Sequence, residues 1–161
     1  MRENPTALTV DAETWKEKPV IVPIEVLPGG KMPTKAHETD ACWDLYARAC
    51  DTPSYNVTRF FLGVRLGLPK GWWADIRARS GIWKSSYVLC NGAGVVDAEY
   101  RGELMALFYD LDRGAGAESL KPGDRVAQMM IRRVEPVILE TVNMVSTDTE
   151  RGEGGFGSTG R

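Results

Sequence analysis

Residues 56–68 read NVTRFFLGVRLGL, and from Phe60 onward the side chains Phe60, Leu62, Val64, Leu66 and Leu68 recur at every second position. Successive side chains of an extended chain point to opposite faces, so this spacing predicts a strand with one face buried and the other polar. Shorter runs stand on either side. Residues 20–27, VIVPIEVL, are β-branched and interrupted by Pro23, which suits an edge strand because proline cannot donate to a ladder. Asp44 to Ala47, Trp72 to Arg79, Glu103 to Tyr109, Val126 to Ile131 and Val137 to Val142 are further strand candidates, punctuated by Pro28-Gly29-Gly30, Pro69-Lys70-Gly71 and Pro136. Beyond about ten residues no window holds a helical period, apart from the charged stretch before Lys18 and a short turn after Gly81. Many short strands with Gly and Pro punctuation predict an all-β fold, a jelly-roll-like barrel or sandwich.

At 161 residues the chain fits one domain. We place it at residues 20–142, between an N-terminal arm (1–19), either frayed or briefly helical, and a flexible glycine-rich C-terminal arm (143–161) in which apolar residues nearly vanish. Lys+Arg 20 against Asp+Glu 22 gives a net charge of -2. That argues against a duplex nucleic-acid binder and leaves room for a local basic cluster that holds a small anion. The three cysteines, Cys42, Cys50 and Cys90, show no C-x-x-C pairing, so reduced core thiols are expected rather than a disulfide framework or a zinc ribbon. With no apolar h-region at the start and no membrane-length apolar run, a cytoplasmic protein is expected. His37, the single histidine, is expected on an exposed loop.

Five segments are unusual for a plain sandwich. Residues 41–45, ACWDL, place Asp44 at a strand start, where an aspartate either caps a turn or serves a site. Arg79-Ser80-Gly81 joins a cation, a hydroxyl and an accessible glycine amide; it is a turn with a solvated arginine, or, if Gly81 opens a short helix, an anion site. Residues 91–103, NGAGVVDAEYRGE, are dense in glycine and suggest a tight β-hairpin carrying Asp97 and Tyr100. An ionised aspartate held at hydrogen-bonding distance can take a proton from water, and a tyrosine ring can stack on a planar group or a sugar. Residues 123–128, GDRVAQ, bring Gln128, an amide able to donate to an anionic oxygen or to serve structure alone. Residues 151–160, RGEGGFGSTG, are either a linker or a cation, a ring and two hydroxyls on a backbone rich in free amides, able to wrap a nucleoside polyphosphate.

Together and in this order the five segments resemble the motifs of the trimeric dUTP pyrophosphatase (dUTPase) family. GVVDAEYRGE and RGEGGFGSTG are the most specific, and the resemblance runs from about Val20 to the C-terminus. It implies a homotrimer of jelly-roll-like barrels with shared active sites. It also implies hydrolysis of dUTP to dUMP and pyrophosphate, which limits uracil incorporation into DNA and supplies dUMP for thymidylate synthesis. By the same resemblance Asp97 would be the general base and Tyr100 would lie under the sugar. Asn91, with the backbone of Gly94 and Val96, would read uracil. Arg79, Ser80, Gly81 and Gln128 would hold phosphates. Asp44 would hold water on Mg2+. Phe156 would cover the uracil, Arg151, Ser158 and Thr159 would close on the γ-phosphate, and Gly157 would bind the substrate with them. Twelve steps separate Leu139 from Arg151, and at roughly 3.3 Å each they span on the order of 40 Å, which lets the arm serve a neighbouring copy.

Three positions depart from the family pattern. Cys42 replaces a glycine, Ala78 stands where proline is common, and Glu99 replaces a second aspartate. None removes a group assigned to chemistry. The nearest rival, a dCTP deaminase of the same fold, would use a glutamate base and lack the GVVD-x-E-Y pattern. A non-catalytic trimer that senses the nucleotide or binds a regulatory protein is the other alternative.

Overall fold

The structure, a computed structural model, describes residues 18–111 and 119–154. Among them the strands are β1 (Ile24–Val26), β2 (Trp43–Tyr46), β3 (Ala49–Ser54), β4 (Val57–Phe61), β5 (Val64–Leu66), β6 (Trp72–Ala78), β7 (Tyr87–Leu89), β8 (Gly94–Val96), β9 (Met105–Asp110) and β10 (Arg125–Arg133), with a 3-10 helix at Ser80–Lys84. All pairings are antiparallel. One four-stranded sheet runs β2-β10-β6-β8, the other β3-β4-β9-β7, and β1 pairs with β5 alone. This is the all-β, jelly-roll-like architecture that the alternation predicts.

The alternating run is not one strand. It breaks at Gly63, whose φ of 67° lies in the left-handed region that glycine tolerates. Gly30 packs so close that a Cβ on Gly63 would stand 2.5 Å from the Gly30 Cα. On either side the burial pattern survives. Phe60, Leu62 and Val64 are fully buried, yet β4 and β5 belong to different sheets. Phe60, Tyr87 and Phe108 meet edge to face at 5.8–6.1 Å between ring centres, the geometry that the ring quadrupole favours, and so close the core between the sheets. Leu45, Ile76, Val126 and Met129 fill it from the opposite sheet.

Three expectations are corrected. Residues 137–142 form no strand: Ile138 and Leu139 are each 94% exposed. β-propensity needs a ladder partner to be realised, and no described strand edge of this chain supplies one. The glycine-rich stretch 91–103 is not a hairpin, because β7 pairs with β9 while β8 pairs with β6. Gly92, at φ 60°, turns the chain from one sheet into the other. Nor are the cysteines core thiols. All three are free, but Cys50 is exposed and Cys42 and Cys90 only half-buried, with burial raising the pKa of those two. His37 lies exposed as expected, beside Asp40.

On the outward face of β6 the side chain of Asp75 is 1% exposed. Its Oδ1 accepts from Arg77 Nε at 2.6 Å, and Oδ2 accepts from Arg77 Nη2 and Arg132 Nε, each at 3.1 Å. Both arginines are nearly half exposed, so either stays hydrated if the carboxylate is lost, whereas the carboxylate has no other hydrogen-bond or ion-pair partner among the described residues. An uncompensated buried charge costs about 3–5 kcal/mol, against roughly 1 kcal/mol for a half-exposed pair. Replacing Arg77 and Arg132 together by methionine is therefore expected to destabilise the protein clearly more than Asp75→Ala does. Denaturant unfolding of the two variants gives the order, and the reverse order would sink the argument.

Candidate functional site

The sequence-derived residues gather into two patches. In the first, the register of β10 places Gln128 between Asp44 on β2 and Arg77 on β6. Asp44 is pinned through its backbone to Thr34, and its carboxylate is shared: Oδ1 accepts from Arg79 Nε at 2.7 Å and Oδ2 from Arg125 Nη1 at 2.9 Å. Gln128 Nε2 donates to the Ala78 carbonyl at 2.9 Å, at the end of β6. The chain then leaves β6 through Arg79 into the 3-10 helix, where Ser80 and Gly81 are exposed and no side chain caps the end. A Cβ on Gly81 would meet nothing within 4 Å, so the space beside it is open. Cations, a hydroxyl and an amide thus share one surface, a set suited to phosphate oxygens.

The second patch is the corner where the chain changes sheets. Turn bonds from Gly92 N to Leu89 O (3.1 Å) and from Ala93 N to Asn91 O (2.5 Å) set the bend. Beneath it lies a cavity of about 150 Å³ lined by Ile76, Leu89, Cys90, Asn91, Gly94 and residues of β9. Gly94 fits closely there: a Cβ would stand 3.2 Å from Ile76 Cβ, a tight contact, and 3.6 Å from Asn91 Nδ2, an ordinary one. The cavity is apolar except near Asn91 and the backbone, the composition of a pocket that orients a flat ring by a few polar groups. Val96 turns inward to the core, and Asp97, just past β8, is exposed, its carboxylate without a hydrogen bond or ion pair to another described residue. Tyr100 N donates to Asp97 O at 3.1 Å, and the Tyr100 hydroxyl donates to the Glu103 carbonyl at 2.9 Å.

One chain does not bring the two patches together. Asp97 follows Val96, which pairs with Ala74, while Gln128 pairs with Arg77 on the other side of β6. At strand spacings they lie roughly 13 Å apart along β6 and about 10 Å across it. Arg151 is exposed in a turn, its Nε donating to Gly154 O at 2.8 Å, and it contacts neither patch. Phe156, Gly157, Ser158 and Thr159 lie outside the described residues.

Two partnerships escaped the sequence reading. Arg125 completes the Asp44 fork, and Glu103 anchors the corner. Glu103 Oε1 accepts from Arg48 Nε at 2.6 Å and from the Gly63 amide at 2.9 Å, and Oε2 accepts from Arg48 Nη2 at 2.5 Å. The signals were only a charged residue at a strand start and a glutamate closing a motif.

A two-sheet antiparallel fold with an anion-suited surface and an apolar cavity edged by Asn91 has the form of a small-ligand-binding β barrel. Comparison narrows it: the family model described as dUTPase matches residues 29–160, and the chain belongs to that family. The deoxyuridine 5'-triphosphate nucleotidohydrolase of Candida albicans is 35% identical over 136 residues, covering 83% of this chain and 84% of its own. That of Rhodococcus erythropolis is 39% identical over 139 residues, covering 83% and 81%. Among solved structures, the dUTPase of Staphylococcus bacteriophage 80alpha with dUPNHPP aligns with TM-score 0.75 at 23% identity, over 88% of this chain and 99% of that one, which supports the fold.

The Glu103 fork has a pH signature. Arg48, and after it the Gly63 amide, holds the Glu103 carboxyl below its ordinary value of 4.5. A depressed folded-state pKa contributes stability above the unfolded value and loses it as pH falls through the folded one. The melting-temperature gap between wild type and Glu103→Gln is expected to be full near pH 7 and to close as pH falls below the ordinary value of 4.5 and on through the depressed folded-state one. A gap that does not change with pH would show that the charge is irrelevant.

Proposed function

We propose that this chain hydrolyses dUTP to dUMP and pyrophosphate by water attack at the α-phosphorus, in sites completed between the copies of a homotrimer. The observation that carries the reading is Asp97: an exposed carboxylate without a side-chain partner among the described residues, just past β8, the strand whose first residue, Gly94, lines a cavity that also offers the Asn91 side-chain amide. Such a carboxylate can hold a water and take its proton as the oxygen adds to phosphorus. The bond from phosphorus to the bridging oxygen then breaks, and pyrophosphate leaves with the electron pair. The reading matches the named activity of the relatives that align over most of this chain.

In the cavity, Asn91 and the backbone at Gly94 and Val96 would pair with the uracil edge. A donor pattern read by buried amides penalises a mismatched base more than an apolar pocket does. Tyr100 would lie under the deoxyribose and leave no room for a 2′-hydroxyl. Arg79, Ser80, Gly81 and Gln128 would receive the triphosphate. In the single chain Gln128 bonds to Ala78 and Arg79 to Asp44, so a phosphate enters as a competitor or an addition to those bonds. The span between Asp97 and Gln128 exceeds what one α-phosphorus can bridge, which favours a corner of one copy facing the phosphate patch of another. The arm, through Arg151, Phe156, Gly157, Ser158 and Thr159, would close over the nucleotide and exclude bulk water.

The solved dUTPase of phage phi11 is described with a structural Mg(II) ion. Here no three His, Cys, Asp or Glu side chains converge among the described residues, a donor set that fits a cation arriving on the triphosphate rather than a protein cage. Asp44 keeps lone pairs beyond the two that its arginines use and would hold a metal-bound water. Bound magnesium would neutralise the triphosphate oxygens. No helix among the described residues is long and apolar enough to cross a membrane.

With magnesium, dUTP is expected to turn over far faster than dTTP, dCTP or UTP, with dUMP and pyrophosphate as products. Equal rates for all four would overturn the specificity argument. Asp97→Asn is expected to lower kcat by roughly 10²–10⁴-fold while Kd for the imido analogue of dUTP stays near wild type. A near-normal kcat would remove Asp97 as the base.

A further inference from the structure

Steric exclusion of a single hydroxyl needs a ring that does not move. A group about 1 Å out of place opens enough space for one oxygen, so a platform that rejects a 2′-hydroxyl must be held against displacement. Tyr100 is exposed, and no packed core holds it. What holds it is local. A Cβ on Gly102 would lie 2.3 Å from the Tyr100 hydroxyl oxygen and 2.5 Å from Cζ, so the ring lies in the space that only a glycine leaves open. Its hydroxyl ends on the Glu103 carbonyl.

The Glu103 carbonyl is in turn only as fixed as Glu103. Here the fold spends a charged fork whose partners lie far away in sequence: Arg48, 55 residues away, and the Gly63 amide, 40 residues away. The Glu103 side chain is 14% exposed and that of Arg48 30%, more sheltered than the neighbouring Arg59–Asp51 pair at 33% and 44%. The two pairs also differ in what they join. Arg59 and Asp51 face each other across adjacent strands β4 and β3, which the ladder already holds. Arg48 and Glu103 tie the β2–β3 corner to the loop between β8 and β9. Around that loop the backbone frame is set by Arg48 N to Phe61 O (2.8 Å), Leu62 N to Leu104 O (2.9 Å) and Leu104 N to Val64 O (2.9 Å). Gly63 packs directly against Gly30, and its carbonyl accepts from Leu27 N at 2.8 Å.

We propose that Glu103 is a positioning residue for sugar discrimination: by bridging Arg48 and the Gly63 amide it fixes the carbonyl that receives the Tyr100 hydroxyl, and with it the ring that rejects a ribonucleotide. The inference rests on the placement of Tyr100 under the sugar given above. It assigns Arg48 and Glu103 to selectivity rather than to the rate of the reaction. A merely structural ion pair would lower all substrates alike.

The test is the ratio of kcat/KM for dUTP to that for UTP, measured with magnesium on wild type, Glu103→Ala, Glu103→Gln, Arg48→Met and Tyr100→Phe. Glu103→Ala is expected to lower the ratio at least about tenfold, chiefly through gained turnover of UTP. Glu103→Gln keeps an acceptor oxygen for Gly63 and for Arg48 Nε and should retain most of the ratio. In the Tyr100→Phe background, Glu103→Ala should add much less than it does alone, because the bond that transmits its effect is already gone. If Glu103→Ala fails to fold, Arg48→Met decides, since it leaves the Gly63 bond to Glu103 in place; it should lower the ratio by several-fold. Folded variants whose dUTP and UTP rates fall in parallel would overturn the role of Glu103 and leave the proposed function standing. A wild-type protein without preference for dUTP over UTP would overturn both.

Discussion

The backbone ladders on the two sides of β6 decide where chemistry can occur in this protein. On one side β10 carries Gln128 and, beyond it, Asp44 of β2; on the other, β8 carries the chain to Asp97. Ladder register is a discrete quantity, because a slip of one residue would turn every buried side chain outward. The core residues Ala74, Ile76, Val96, Ala127 and Met129 therefore lock the positions of groups that they never touch. The same lock keeps Asp97 and Gln128 apart within one copy, and this separation is the physical ground for the proposal of a site assembled from several.

Charge is handled differently in the two patches. Around Asp44 a carboxylate moderates two arginines on a partly open surface, so the cations are oriented without being consumed. At the corner, Glu103 takes up a guanidinium and an amide, and its fork serves geometry. Asp75 is a third arrangement, a buried carboxylate under two half-exposed arginines, outside both patches. Net charge near zero conceals all three.

What could be read from the sequence follows from what each signal reports. The period of two around Phe60 reports alternate burial, and the two-sheet barrel came with it. The break at Gly63 depends on Gly30, a residue 33 positions earlier that no local window includes. Residues 91–103 looked like a hairpin because a glycine-rich turn between two short strands has the same composition whether they pair with each other or with different sheets. The candidate residues Asp44, Arg79, Ser80, Gln128, Asn91, Asp97 and Tyr100 could be singled out from their types and order. Their partners Arg125 and Glu103 were not, since Arg125 meets Asp44 across 81 positions and Glu103 meets Arg48 across 55. Propensity named residues 137–142 a strand, but propensity reports a tendency to be extended and does not supply a neighbour.

That same segment sets the terms on which a single copy exists. With Ile138 and Leu139 each 94% exposed, and Val137 72%, a lone chain offers water an apolar extended segment that its own sheets do not accept. If copies associate as proposed and cover it, the burial free energy belongs to the assembly, and folding becomes linked to mass action. Dilution then acts as a denaturant, loosening the barrel and dismantling the site in the same step.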